Sequence, residues 1–77
     1  MWEIVGFEKQ FNADNVVTGI SLHCKKDLRP EQGAGCKVKT FWYRPSSVQY
    51  DPVVGERVII DVDVRGQYQI VTDIIPC

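Results

Sequence analysis

Arg57-Val58-Ile59-Ile60-Asp61-Val62-Asp63-Val64-Arg65 decides the fold. Val58, Ile60, Val62 and Val64 fall on one side of a period of two, and Arg57, Asp61, Asp63 and Arg65 fall on the other. That alternation is the signature of a β-strand with one face in a core and one in water. β-branched residues also fit a pleated, half-buried surface. Ile59 interrupts the polar face and hints at outward surface that a partner covers.

Working outward, Arg65-Gly66 reads as a hairpin turn, with Gly66 supplying a positive φ. Gln67 to Ile75 then forms a second strand, with Tyr68, Ile70, Thr72 and Ile74 on one face and Pro76 at its end. Upstream, Pro45 to Glu56 is irregular, with one short turn near Ser46-Ser47-Val48. Lys37 to Arg44 is a strand stopped by Pro45. Asp27 to Gly35 is a loop punctuated by Pro30, Gly33 and Gly35. Val16 to Lys26 is a strand with Val16, Thr18, Ile20, Leu22 and Cys24 as its core face. Asn12-Ala13-Asp14-Asn15 is a turn by composition, and Trp2 to Phe11 is the first strand. Apolar residues nowhere recur at helical spacing for three turns. Five short strands separated by turn signals predict an all-β sandwich or small antiparallel barrel. The 77 residues form one domain, residues 1–77, with a thin core.

Composition narrows the functional classes. Apolar residues make up 44% and charged residues 25% of the chain, the balance of a folded globular domain. No apolar run reaches the roughly 20 residues of a membrane span. The opening Met1-Trp2-Glu3-Ile4-Val5-Gly6 enters a strand directly, without a basic leader, which predicts a cytoplasmic protein. Cys24, Cys36 and Cys77 are an odd set and predict no disulfide framework, although Cys24 and Cys36 flank one loop. His23, Cys24, Cys36 and Cys77 do not make a zinc site, because adjacent residues of a strand point to opposite faces. No nucleophile elbow or phosphate-cradling glycine loop is present. Asp61 and Asp63 share their face with Arg57 and Arg65, which reads as a salt-bridge ladder rather than a catalytic pair. His23 has no identifiable carboxylate partner. The expectation is a binding protein with no catalytic residue, metal or cofactor.

Charge distribution says what it binds. His23 to Arg44 carries six basic and two acidic residues, a net of +4, while the remainder carries three basic and eight acidic, a net of −5. A local positive field steers polyanions even when total charge is −1. Within this window Lys37, Lys39, Phe41 and Tyr43 share one face of a strand, and Val38, Thr40 and Trp42 the other. Single-strand binders combine cations that track phosphates with rings that stack on bases. The same alternation also permits Phe41 and Tyr43 to be core residues, with the lysines marking an edge strand. Lys25, Lys26 and Arg29 sit at the base of the adjoining loop.

The layout resembles the small single-stranded DNA-binding proteins of filamentous phages and related mobile elements. The likeness lies in chain size, strand spacing, a middle hairpin with basic and aromatic residues, and Asp51-Pro-Val-Val-Gly55 followed by strand, turn and strand. It implies a five-stranded OB-like β-barrel, a symmetric homodimer and a role in coating replicating single strands. Carried onto this chain, it points to Lys25, Lys26, Arg29, Lys37, Lys39, Phe41 and Tyr43 as the nucleic-acid-binding residues. The acidic remainder departs from the basic balance usual in such proteins. Two other readings stand beside it: a protein-interaction module docking through exposed Trp2, Val17 and Ile59, and an oligomer-forming structural domain.

Overall fold

The computed structural model describes all 77 residues. Five strands form one antiparallel sheet: β1 Trp2–Phe11, β2 Val17–Asp27, β3 Cys36–Tyr43, β4 Arg57–Arg65 and β5 Tyr68–Pro76. Their order across the sheet is β3-β2-β1-β4-β5. The only helical element is a single 3-10 turn, Pro30–Gln32, in the β2–β3 loop. Every strand lies within one residue of its expected bounds. No helix is long and apolar enough to cross a membrane.

Local chemistry sets the turns. Asn12 closes the β1–β2 turn by accepting the backbone N–H groups of Asp14 (2.8 Å) and Val16 (3.1 Å) on its side-chain oxygen. Asn15 takes a positive φ of 59° there, which asparagine tolerates better than most residues. Gly66 (φ 61°) occupies the first central position of the two-residue β4–β5 turn, where a II′ hairpin requires a positive φ.

The sheet curls so that its inner face packs on itself. Ile4, Ile20, Leu22, Cys24, Phe41, Tyr43, Val58, Val71 and Ile74 make that core, and Val48 from the β3–β4 connection covers it. Trp2, Val17, Tyr50 and Ile60 pack around the rim. Trp2 and Val17 are therefore half-buried rather than exposed, while Ile59 is exposed as expected. The covering segment is held by Tyr43, whose hydroxyl donates to the Tyr50 carbonyl oxygen at 2.7 Å, and by the Tyr50 hydroxyl, which donates to Glu56.

β1 joins β4 only briefly, through Trp2↔Val58 and Glu3↔Arg57. Backbone bonds from Ile4 to Glu56 (3.0 Å) and from Gly55 to Ile4 (2.7 Å) extend that junction. The edge strands β3 and β5 meet through side chains, with Lys39 Nζ donating to Gln69 Oε1 at 2.7 Å, but no ladder joins them. The sheet is thus five-stranded and antiparallel, and not closed.

Three irregularities interrupt the period of two. They lie at Ile4/Gly6 and Gln10/Phe11 in the β1–β2 pair and at Asp61/Val62 in the β4–β5 pair. The last sets Asp61↔Asp73 beside Val62↔Val71, so Thr72 is the extra residue. A bulge of this kind reverses which side chains face inward beyond it. Val71 and Ile74 are consequently the buried pair of β5, and Tyr68 and Ile70 face outward with Arg65 and Asp63. Residues 61–70 are all exposed, because this end of the hairpin projects beyond the core. Val16 and Thr18, expected in the core, are exposed for the same kind of reason near Gln10/Phe11.

Candidate nucleic-acid interface

The β2–β3 hairpin places the basic residues. Its register sets Lys26 directly across from Lys37 and Cys24 across from Lys39. Those four share the face that carries Leu22 and Phe41 further along, so the inner face runs from buried core to a cationic mouth. Like charges directly opposite one another weaken a sheet. The ion pairs of the chain are Glu8–His23, Glu3–Lys25 and Asp63–Arg65. Lys26, Lys37, Lys39 and Arg29 therefore have no carboxylate within 4.0 Å. Lys25 differs, since Glu3 lies 3.9 Å from its ammonium.

Aromatic rings hold two of these cations. Lys26 Nζ lies 4.8 Å from the Trp2 ring centre and Lys39 Nζ lies 5.0 Å from that of Phe41. The two rings meet edge to face at 5.2 Å and 75°. Cation–π contact at partly exposed sites is worth about 0.5–1 kcal/mol, enough to bias where a flexible ammonium sits. Arg29 is exposed in the loop, where its backbone N–H donates to Gln32 Oε1 at 3.2 Å.

Phe41 and Tyr43 do not form a stacking surface. They are 6% and 2% exposed, and Tyr43 spends its hydroxyl on the Tyr50 carbonyl. The inward half of the alternation was theirs, because β3 must close the sheet against Leu22 and Ile20. Burial pushes the Tyr43 phenol up to about 12, with Asp51 adding to the rise. The partly exposed ring beside the cations is Trp2, from the chain's first strand. Its adjacency to Lys26 depends on strand pairing that local sequence does not encode.

The outer face of the same strands is polar and ordered. The carboxylate of Glu8 can only accept, so His23 donates to it through Nε2 at 3.3 Å, and Nδ1 lies in hydrogen-bond contact with the Thr40 hydroxyl at 3.0 Å. His23 therefore has the carboxylate neighbour that sequence reading did not find. Trp42 lies across Gly19 and donates its indole N–H to Gln10 Oε1 at 3.2 Å. The supposed ladder on β4 reduces to one ion pair, Arg65 to Asp63 at 3.3 Å, because Asp61 faces Asp73.

Cys24 is buried and Cys36 and Cys77 are exposed, and all three are free thiols. Cys24 and Cys36 face Lys39 and Asp27 respectively, at different levels of the hairpin. Burial raises the Cys24 thiol to about 11, which keeps it protonated and inert. No three His, Cys, Asp or Glu side chains are grouped to hold a metal ion. Comparison with known protein families, with characterised proteins and with solved structures finds no match.

Proposed function

We propose that this protein binds single-stranded nucleic acid at the mouth of the β2–β3 hairpin. The observation that carries the reading is the Lys26↔Lys37 pair, with Lys39 on the same face and no carboxylate beside any of the three. Folding sets these charges against one another, and a phosphate backbone supplies the missing counter-charge. Trp2, half-buried under Lys26, provides a ring edge next to the cations. Lys25 and Arg29 flank the site and extend its field. Polyanion recognition needs no acid, base or nucleophile, which fits a chain without a catalytic constellation.

The finer architecture belongs to the same proposal. The order β3-β2-β1-β4-β5, with Lys39 reaching Gln69 across the remaining seam, suits an OB-like barrel that closes there. A cytoplasmic single-strand-coating role in phage or mobile-element replication follows from the resemblance. Titrating the protein with oligo-dT at low salt, read by tryptophan fluorescence and gel shift, tests the binding. Saturable quenching supports it, and an unchanged signal with no shift contradicts it.

A second reading has its own observation. The β4–β5 hairpin carries Val62, Val64, Tyr68 and Ile70 in water, an unusual set for a free hairpin. A homodimer, with or without nucleic acid, would cover them. Sedimentation equilibrium distinguishes a dimer from a monomer of 8.8 kDa.

A further inference from the structure

A cavity of about 510 Å³ opens between the end of β3 and the start of β5, against about 300–320 Å³ for the other principal hollows. Trp42, Arg44 and Ser47 line one wall, and Arg65, Tyr68 and Ile70 line the other. Each wall thus presents one aromatic ring and one guanidinium. Tyr68 is 75% exposed and leaves its ring in water, while Trp42, 48% exposed, is backed by Gly19 on β2. Arg44 lies 5.6 Å over the Trp42 ring and has no carboxylate within 4.0 Å. Arg65 uses only its Nε–H on Asp63, at 3.3 Å, which leaves its four terminal N–H donors unengaged by that pair.

We propose that this cleft holds one unpaired nucleobase together with its phosphate. In this reading the base stacks on the Tyr68 ring, with the Arg44 guanidinium that lies over Trp42 forming the opposite wall, and its phosphate meets the guanidinium donors at the rim. The volume lies in the range of small-ligand sites, roughly 300–1,000 Å³. The ligand class rests on the polyanion reading above, but the place is separate. Trp42 is five residues along β3 from Lys37, about 17 Å at the rise of a strand. A single strand held at the lysine mouth and continuing along the β3–β5 seam would deliver a base to the cleft.

The test titrates isotopically labelled protein with 2′-deoxyadenosine 5′-monophosphate and, in parallel, with inorganic phosphate, following the Trp42 indole N–H, the arginine Nε–H groups and the Tyr68 amide. The nucleotide is expected to move all of these, and phosphate alone to leave the Trp42 indole in place. Shifts confined to Lys26, Lys37 and Lys39, or identical shifts with phosphate alone, would overturn the proposal. Tyr68→Ala and Arg44→Ala, both at exposed positions, are expected to weaken oligo-dT binding about tenfold each. If Lys26→Ala/Lys37→Ala abolishes oligo-dT binding while neither cleft variant changes it twofold, the cleft proposal fails and the lysine reading stands. If the wild type binds no oligo-dT but the nucleotide still moves Trp42 and Tyr68, the lysine reading fails and the cleft stands as a mononucleotide site.

Discussion

A methyl group at position 19 would sit 2.5 Å from Nε1, 2.6 Å from Cζ2 and 2.7 Å from Cε2 of Trp42. Real side chains do not approach so closely, so in Gly19→Ala either the indole or the backbone beneath it must shift. If the ring stays, overpacking costs about 1–3 kcal/mol. If it swings into solvent, the bond from Nε1 to Gln10 (3.2 Å) and the contact with Gly19 are lost, about 1 kcal/mol for the hydrogen bond alone. Against either route, alanine restricts the unfolded chain and returns about 0.4–1 kcal/mol, since Gly19 does not use a positive φ. The net expectation is a loss of about 1–2 kcal/mol, or roughly 4–16 °C in melting temperature for a domain of this size. In a Trp42→Ala background the obstacle is gone, and Gly19→Ala should be neutral or stabilising by up to about 1 kcal/mol. Urea unfolding of the four proteins by far-UV circular dichroism gives the coupling, expected to be at least about 1 kcal/mol. Equal effects of Gly19→Ala in both backgrounds would refute the placement of Trp42 on β2.

Phe41→Ala removes a buried ring that touches Trp2 and Leu22's strand, and should cost about 3–5 kcal/mol in urea unfolding. A loss below about 1 kcal/mol would return Phe41 to the surface. Alkaline pH should destabilise the fold through Cys24. Its thiol is raised from 9.0 to about 11, so the unfolded state loses its proton first and stability falls as pH climbs between those values. The effect is bounded at about 2–3 kcal/mol, and Cys24→Ala should flatten the decline between pH 9 and pH 10 in melting curves. A decline of the same slope in that variant would assign it elsewhere.

Strand existence was legible because Arg57–Arg65 and Val16–Lys26 alternate so strongly, and the turns were legible because Asn12 and Gly66 are there for backbone reasons. The three bulges were not. Nothing in Ile70-Val71-Thr72-Asp73-Ile74 marks Thr72 as the extra residue, so a plain period of two puts Tyr68 and Ile70 on one face with Ile74, a face that they do not share. The faces of β3 posed a harder problem. Alternation separates Phe41 and Tyr43 from Trp42 but carries no sign, and the sign is set by packing against Leu22 and Ile20. For the lysines, composition gave the positive window. Their grouping came from pairing: the register puts Lys26 against Lys37, and β1 brings Trp2 beneath Lys26. Glu8 beside His23 and Gln69 beside Lys39 are likewise products of strand order, at separations of 15 and 30 residues.

The most direct test of the lysine mouth is the salt dependence of oligo-dT binding for the wild type and for Lys26→Ala/Lys37→Ala. Each phosphate contact on a single strand contributes about −0.7 to the slope of log K against log salt. The wild type should bind with a steep negative slope, and removal of both lysines should make that slope shallower by about 1.4 while leaving the melting temperature unchanged or higher. An identical slope in the two proteins, or no binding by the wild type at low salt, would contradict the account.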